Sequence, residues 1–117
     1  MSEAAIVTVY ATFADPDEAD RIARTLVDER LAACANILGT CRSIYRWQGA
    51  IEQGEEVAAL FKTRADVADS LIARLAELHS YDVPAAVVWP IASALPAYAK
   101  WVRDESEQTT LPRPPGE

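Results

Sequence analysis

Residues 34–64 read CANILGTCRSIYRWQGAIEQGEEVAALFKTR, and this stretch decides the fold. Its apolar residues recur with a period of two, as in a β-strand. Up to Trp47 the odd positions Ala35, Ile37, Cys41, Ser43, Tyr45 and Trp47 are mostly apolar, and the even positions Asn36, Thr40, Arg42 and Arg46 are mostly polar. Gly39 is a point where a strand can bulge or bend, so the parity holds only within each half. Gln48-Gly49 supplies a reversal. The return strand then runs from about Ile51 to Thr63, with Val57, Ala59 and Phe61 on one face. A reversal at Gln53-Gly54 is the alternative and would shift the register. Either way the segment is a long hairpin, longer than the domain's other strands can cover.

Upstream, residues 4–13 alternate as a strand: Val7, Val9, Ala11 and Phe13 form an apolar face, and Ile6, Thr8, Tyr10 and Thr12 a mixed one. One side of the sheet should be buried and the other semi-polar. Asp15-Pro16-Asp17-Glu18 starts a helix, with an acidic N-cap, Pro at the first helical position and Glu at the capping-box position. Its stripe is Ala19, Ile22, Ala23, Leu26 and Val27. Downstream, Asp66–Leu78 is a second amphipathic helix with Val67, Leu71, Ile72, Leu75 and Leu78 inward. Val83–Ile91 is an apolar strand with Pro84 and Pro90 near its ends, which suits an edge strand covered by another chain. A third helix from about Pro96 to Arg103 should face Leu95, Tyr98, Ala99 and Val102 inward. Residues 105–117 hold three prolines and no periodicity and are expected to be a flexible tail to one domain spanning 1–104. The order βαββαβ predicts an α+β, ferredoxin-like antiparallel sheet with two helices on one face and a short C-terminal helix. The open second face, the long hairpin and the apolar edge predict self-association. The bland alternative packs the edge residues under the third helix.

Composition narrows the partners. The 117 residues carry 18 Asp and Glu against 11 Lys and Arg, a net charge of −7, so a nucleic-acid surface is not expected. The longest apolar runs are too short to span a membrane, and MSEAAIVTVY lacks the basic flank of a signal peptide. Two cysteines in a chain long enough to build its own core read as reduced thiols in the cytoplasm.

Chemistry-bearing residues are few. Cys34 and Cys41 lack the spacing of a structural zinc site, and with no bulge they point to opposite faces of one strand, unable to bridge. Each reads as a small buried hydrophobe or as a soft ligand for Cu(I) or Zn. His79, the single histidine, follows the second helix and reads either as a C-terminal cap or as a metal or proton site beside Tyr81 and Asp82. Lys62 leaves a strand on the parity opposite Phe61, either solvated or facing a subunit boundary. Tyr45, Trp47 and Trp89 are aromatic anchors for an interface or for the core. There is no nucleophile motif and no Gly-rich phosphate loop, so an enzyme is not expected.

Leu31-Ala32-Ala33-Cys34-Ala35-Asn36-Ile37, Ser43 through Glu52, Lys62-Thr63, His79-Ser80-Tyr81-Asp82-Val83-Pro84, and Tyr98 with Trp101 together resemble the CutA family of divalent-cation tolerance proteins. The resemblance covers about Val7 to Val102 in order. It implies a homotrimer similar to the nitrogen-regulatory PII proteins, in which long hairpins pair strand edges between neighbours. It also implies a link to tolerance of copper and other divalent metals. Cys34 and His79 become candidate metal contacts, and Lys62, Tyr81 and Asp82 fall on an intersubunit cleft, to which the interface anchor Trp47 is added. Two residues depart from the family pattern: Ser80 stands where Pro is usual and Ala85 where Glu is usual. Losing that carboxylate favours soft, thiolate-dominated ligation or weak binding. The expectation is a non-enzymatic cytoplasmic homotrimer that binds copper or another transition metal at low affinity and needs no metal to fold. A PII-like trimer taking a small anionic ligand near Lys62, and a purely structural trimer, are the alternatives.

Overall fold

The structure, a computed structural model, describes residues 4–108. Its centre is strand β1 (Ile6–Phe13), which pairs antiparallel with β3 (Ala50–Arg64) on one side and β4 (Ala86–Pro90) on the other. Strand β2 (Cys34–Trp47) pairs with the far side of β3, giving the order β2-β3-β1-β4. Helix α1 (Pro16–Asp28) crosses from β1 to β2, and α2 (Ala68–Leu78) from β3 to β4. This is the expected ferredoxin-like α+β arrangement, with α3 (Pro96–Glu105) added at the end.

Alternation along the strands places the core. Val9, Ala11, Phe13, Val57, Ala59 and Phe61 lie under Ile22 and Leu26 of α1 and Leu71 and Leu75 of α2. Phe13 and Phe61 meet edge to face, with centroids 6.3 Å apart. Asp15 caps α1 by accepting from the Glu18 N–H at 2.8 Å, and Pro16 stands in the first turn, as expected. Val27 is 37% exposed instead of buried: it sits about 100° round the helix from Leu26, away from the sheet. A short 3₁₀ turn, Ala65–Val67, precedes α2 and keeps Val67 buried. On the second face of the sheet, Thr8 and Thr12 are buried rather than open.

The hairpin reverses at Gln48 (φ 50°) and Gly49 (φ 84°), two positive values that mark a type I′ turn matched to the strand twist. The alternative at Gln53-Gly54 is excluded, because Gly54 pairs with Ser43 within the ladder. A bulge between Ile37 and Gly39 leaves Leu38 as the extra residue, with Gly39 at φ 107°. The bulge corrects the cysteine reading. Cys34 pairs with Lys62 and Cys41 with Glu56, so both cysteines point to the same face. They remain about 20 Å apart at the rise of a strand, and both are free thiols.

Two other elements differ from expectation. Strand β4 covers Ala86–Pro90 rather than Val83–Ile91, and Val83 is exposed. Pro84 has no N–H to give, and just beyond the last β1–β4 pair, Ala11 with Ala86, the Thr12 carbonyl lies 2.8 Å from His79 Nε2. Helix α3 buries Val102 and half-buries Ala99 against Ile6, Ala33 and Ile91, but Leu95 is exposed and Tyr98 stands at the surface. It touches only the end of the second sheet face, so its inward stripe is narrow. Val87 and Trp89 on that face therefore stay exposed, as does Val88 on the helix-covered face opposite Val9, and α3 does not cover the apolar edge. Of the expected tail, Glu105 closes α3, Ser106 is buried, and Gln108 donates to the Arg30 carbonyl. Residues 109–117 lie outside the described residues.

Candidate functional site

Strand register collects Cys34, Lys62 and Trp89 on the sheet face away from α1 and α2. One row crosses all the strands: Cys34 opposite Lys62, Lys62 opposite Thr8, and Thr8 opposite Trp89. Lys62 Nζ donates to Asn36 Oδ1 at 3.3 Å, so its charge rests on a neutral amide. Cys34 Sγ lies 3.6 Å from the hydroxyl of Tyr98, which α3 brings across the strand end. Burial, and then the bond to Cys34, push the Tyr98 hydroxyl up to about 12. Trp89 stacks on Tyr10 with centroids 5.1 Å apart and planes 10° apart, leaving one indole face beside the row.

A second cluster lies at the other end of the same face. The Tyr81 hydroxyl donates to Glu56 Oε2 at 3.0 Å; burial first, and then Glu56, push it up to about 12. Behind it His79 is buried, stacked on Phe13 at 5.2 Å and 4.6 Å from the Tyr81 ring. The Tyr81 N–H donates to His79 Nδ1 at 3.1 Å, which assigns the proton to Nε2, where it is donated to the Thr12 carbonyl at 2.8 Å. Both ring nitrogens are thus engaged. Glu18 holds this end in place: Oε1 accepts from Ala14 N–H at 2.9 Å and Oε2 from Ser80 N–H at 2.8 Å. Burial raises the Glu18 carboxyl, but the hydrogen bonds from Ala14 and Ser80 outweigh it and leave the pKa below the ordinary 4.5.

Among the sequence candidates, the chain therefore unites Cys34 with Lys62, and His79 with Tyr81. It does not unite Cys34 with His79, which sit at opposite ends of the sheet and on different sides of it. Lys62 and Tyr81 are also apart, since Tyr81 reaches Glu56, about 20 Å along β3 from Lys62. Asp82 is exposed, and Trp47 is half-exposed at the hairpin end, opposite Ala50. Among the described residues no group of three or more His, Cys, Asp or Glu is placed to hold a metal ion. One chain alone therefore does not fit a closed metal cage. Glu56 on this face, and Glu18 of α1 behind it, were not foreseen as parts of the cluster. Glu18 carried a signal as the capping-box residue, but its reach to Ser80 has no local signature. No helix among the described residues is long and apolar enough to cross a membrane.

Residues 7–105 match the family model described as CutA1 divalent ion tolerance protein. The divalent-cation tolerance protein CutA of Pyrococcus horikoshii is 42% identical over 103 residues, covering 88% of this chain and 100% of that protein. The solved structure of the divalent cation tolerance protein from Thermus thermophilus superposes with a TM-score of 0.85 at 39% identity, covering 87% of this chain and 99% of that one. A structure described as the periplasmic divalent cation tolerance protein CutA from Archaeoglobus fulgidus gives a TM-score of 0.84 at 32% identity, covering 87% and 99%.

Proposed function

The chain belongs to the CutA family of divalent-cation tolerance proteins, and from that premise we propose that it is a non-enzymatic homotrimer that acts in tolerance of, or response to, divalent metal ions by binding copper or another transition metal weakly. The observation that carries this reading is the Cys34 end of the open sheet face. There a half-buried free thiol meets the Tyr98 hydroxyl, opposite Lys62 and with no carboxylate paired to it in the row. Such a donor set suits a soft ion, and one thiolate gives low affinity unless neighbouring copies add theirs. His79 contributes only by exchanging the Tyr81 N–H for the metal at Nδ1, which weakens the loop it anchors. Trimer formation is supported by the hairpin residues that this chain leaves exposed, Ile44, Tyr45, Trp47 and Ile51. Cytoplasmic placement is also part of the proposal; it rests on the sequence, which has only two cysteines in a chain long enough to build its own core.

A second reading is favoured by Lys62. A cation on a neutral amide, in the same row as an exposed indole two strands away, suits a small anionic ligand, and an intersubunit cleft would bring the Tyr81 end of a neighbour to it. Calorimetric titration of reduced, metal-free protein with Cu(I) and with Zn(II), alongside light scattering, separates the readings. Saturation at an integral number of metals per trimer, lost in Cys34→Ala and kept in Lys62→Ala, supports metal binding. A trimer that takes up neither metal overturns it and leaves the Lys62 reading to be tested with small carboxylates.

A further inference from the structure

Helix α1 ends in a Schellman motif: Leu31 N–H bonds the Leu26 carbonyl at 3.0 Å, and Arg30 N–H bonds the Val27 carbonyl at 3.0 Å. The motif needs a left-handed residue after the cap. Glycine fits that position without strain, yet this chain places Arg30 there at φ 62°. A side chain held at such a cost is expected to do something that glycine cannot.

Its guanidinium reaches the far end of the chain. Arg30 donates to the Asp104 carbonyl and, at 3.4 Å, to the Glu107 carbonyl, and lies 3.9 Å from the Glu105 carboxylate. In return Gln108 donates to the Arg30 carbonyl. These acceptors are the C-terminal carbonyls of α3 and its exit, groups a helix cannot satisfy internally. The positive group also complements the C-terminal ends of two helices, α1 and α3. Besides this contact, α3 buries Val102 and half-buries Ala99, Arg103 donates to the Ala4 carbonyl at 3.5 Å, and Ser106 Oγ accepts from the Arg64 N–H at 3.2 Å. The same helix carries Tyr98, which sits on Cys34.

We infer that Arg30 is a clasp that retains α3, and with it Tyr98, across the Cys34 end of the open sheet face, so that access to this end is set by how firmly the clasp holds. The functional meaning of that access rests on the metal-binding reading, whereas the clasp does not. Arg30→Gly is the informative variant, because it removes the guanidinium while relieving the backbone. Arg30→Lys is its companion: it keeps a charge but cannot bridge two carbonyls with a planar fork.

The test reads alkylation of the reduced full-length protein by iodoacetamide, with Cys41 in the same molecule as reference, together with amide hydrogen exchange over residues 99–106. In Arg30→Gly, exchange across α3 should rise and the Cys34 rate should increase about three- to tenfold, with Cys41 unchanged. Arg30→Lys should fall between the two. Unchanged exchange in α3 would overturn the clasp. Faster exchange with an unchanged Cys34 rate would overturn the gate, showing that the thiol is reached without displacing α3. Because neither readout involves metal, a protein that binds no metal leaves this result intact, and the reverse also holds.

Discussion

The same pair of strands runs through two different environments. Where β2 and β3 lie beside β1, from Val57 to Arg64, the inward residues Val57, Ala59 and Phe61 are at most 3% exposed beneath two helices. Beyond Val57 the hairpin projects without a third strand, and Ile44 and Ile51 are 63% and 69% exposed. A two-stranded ribbon is marginal in water, and apolar residues on both of its faces make it more so. One half of the hairpin is thus stabilised by its own chain. The other half makes sense only against something else, in keeping with the proposed trimer.

Substitutions along the hairpin and its supports probe this contrast. Phe61→Ala should cost about 4 kcal/mol, read by denaturant unfolding, because it opens a cavity between the sheet and both helices. Glu18→Ala should cost about 2 kcal/mol by leaving the Ala14 and Ser80 N–H groups without their acceptor. The sign of its pH dependence follows from a carboxyl held below 4.5 in the fold. Its contribution is complete above pH 4.5 and is lost as the pH falls through the lower folded value, so thermal melts of Glu18→Gln should be flatter with pH below 4.5 than those of the parent. Gly49→Ala should cost about 1 kcal/mol. Nothing lies within 4 Å of the added Cβ, so the loss is one of backbone conformation alone. Ile44→Glu should alter the fold of one subunit by under about 0.5 kcal/mol yet shift the mass in light scattering from trimer to monomer or aggregate. An unchanged trimer would break the comparison and send the search for the interface to Val88 and Trp89.

Periodicity made most of this architecture readable. The hairpin, the acidic cap of α1 and the stripe of α2 each rest on contacts within a few residues, which local patterns encode. What escaped the sequence depends on residues far apart. The bulge was foreseen at Gly39, but that Leu38 is the extra residue, turning Cys41 to the face of Cys34, is settled only by pairing with β3. His79 looked like a cap or ligand because sequence shows only the helix it follows. Its partner, the Thr12 carbonyl, belongs to the first strand. Arg30 was hidden for a related reason: a C-terminal motif normally announces itself by glycine, and here a distant helix accounts for the exception. The two ends of the open face were both named, but their separation was not visible until register placed Lys62 opposite Cys34 and Glu56 opposite Cys41.

The central position of β1 has a consequence for how the chain reaches this state. The β2–β3 hairpin is local and can zip within about 1–10 μs of its turn forming. By contrast, Val7 must wait for Pro90 before its second edge is closed. During synthesis β1 therefore stands with at least one edge open for most of the time the chain is being made, at about 5–20 residues per second. Its buried threonines and apolar face would then template mispairing with other nascent chains. A slow last step, the docking of β4 against β1, is the expected bottleneck of folding, and variants that weaken β4 should lower soluble yield more than they lower the melting temperature.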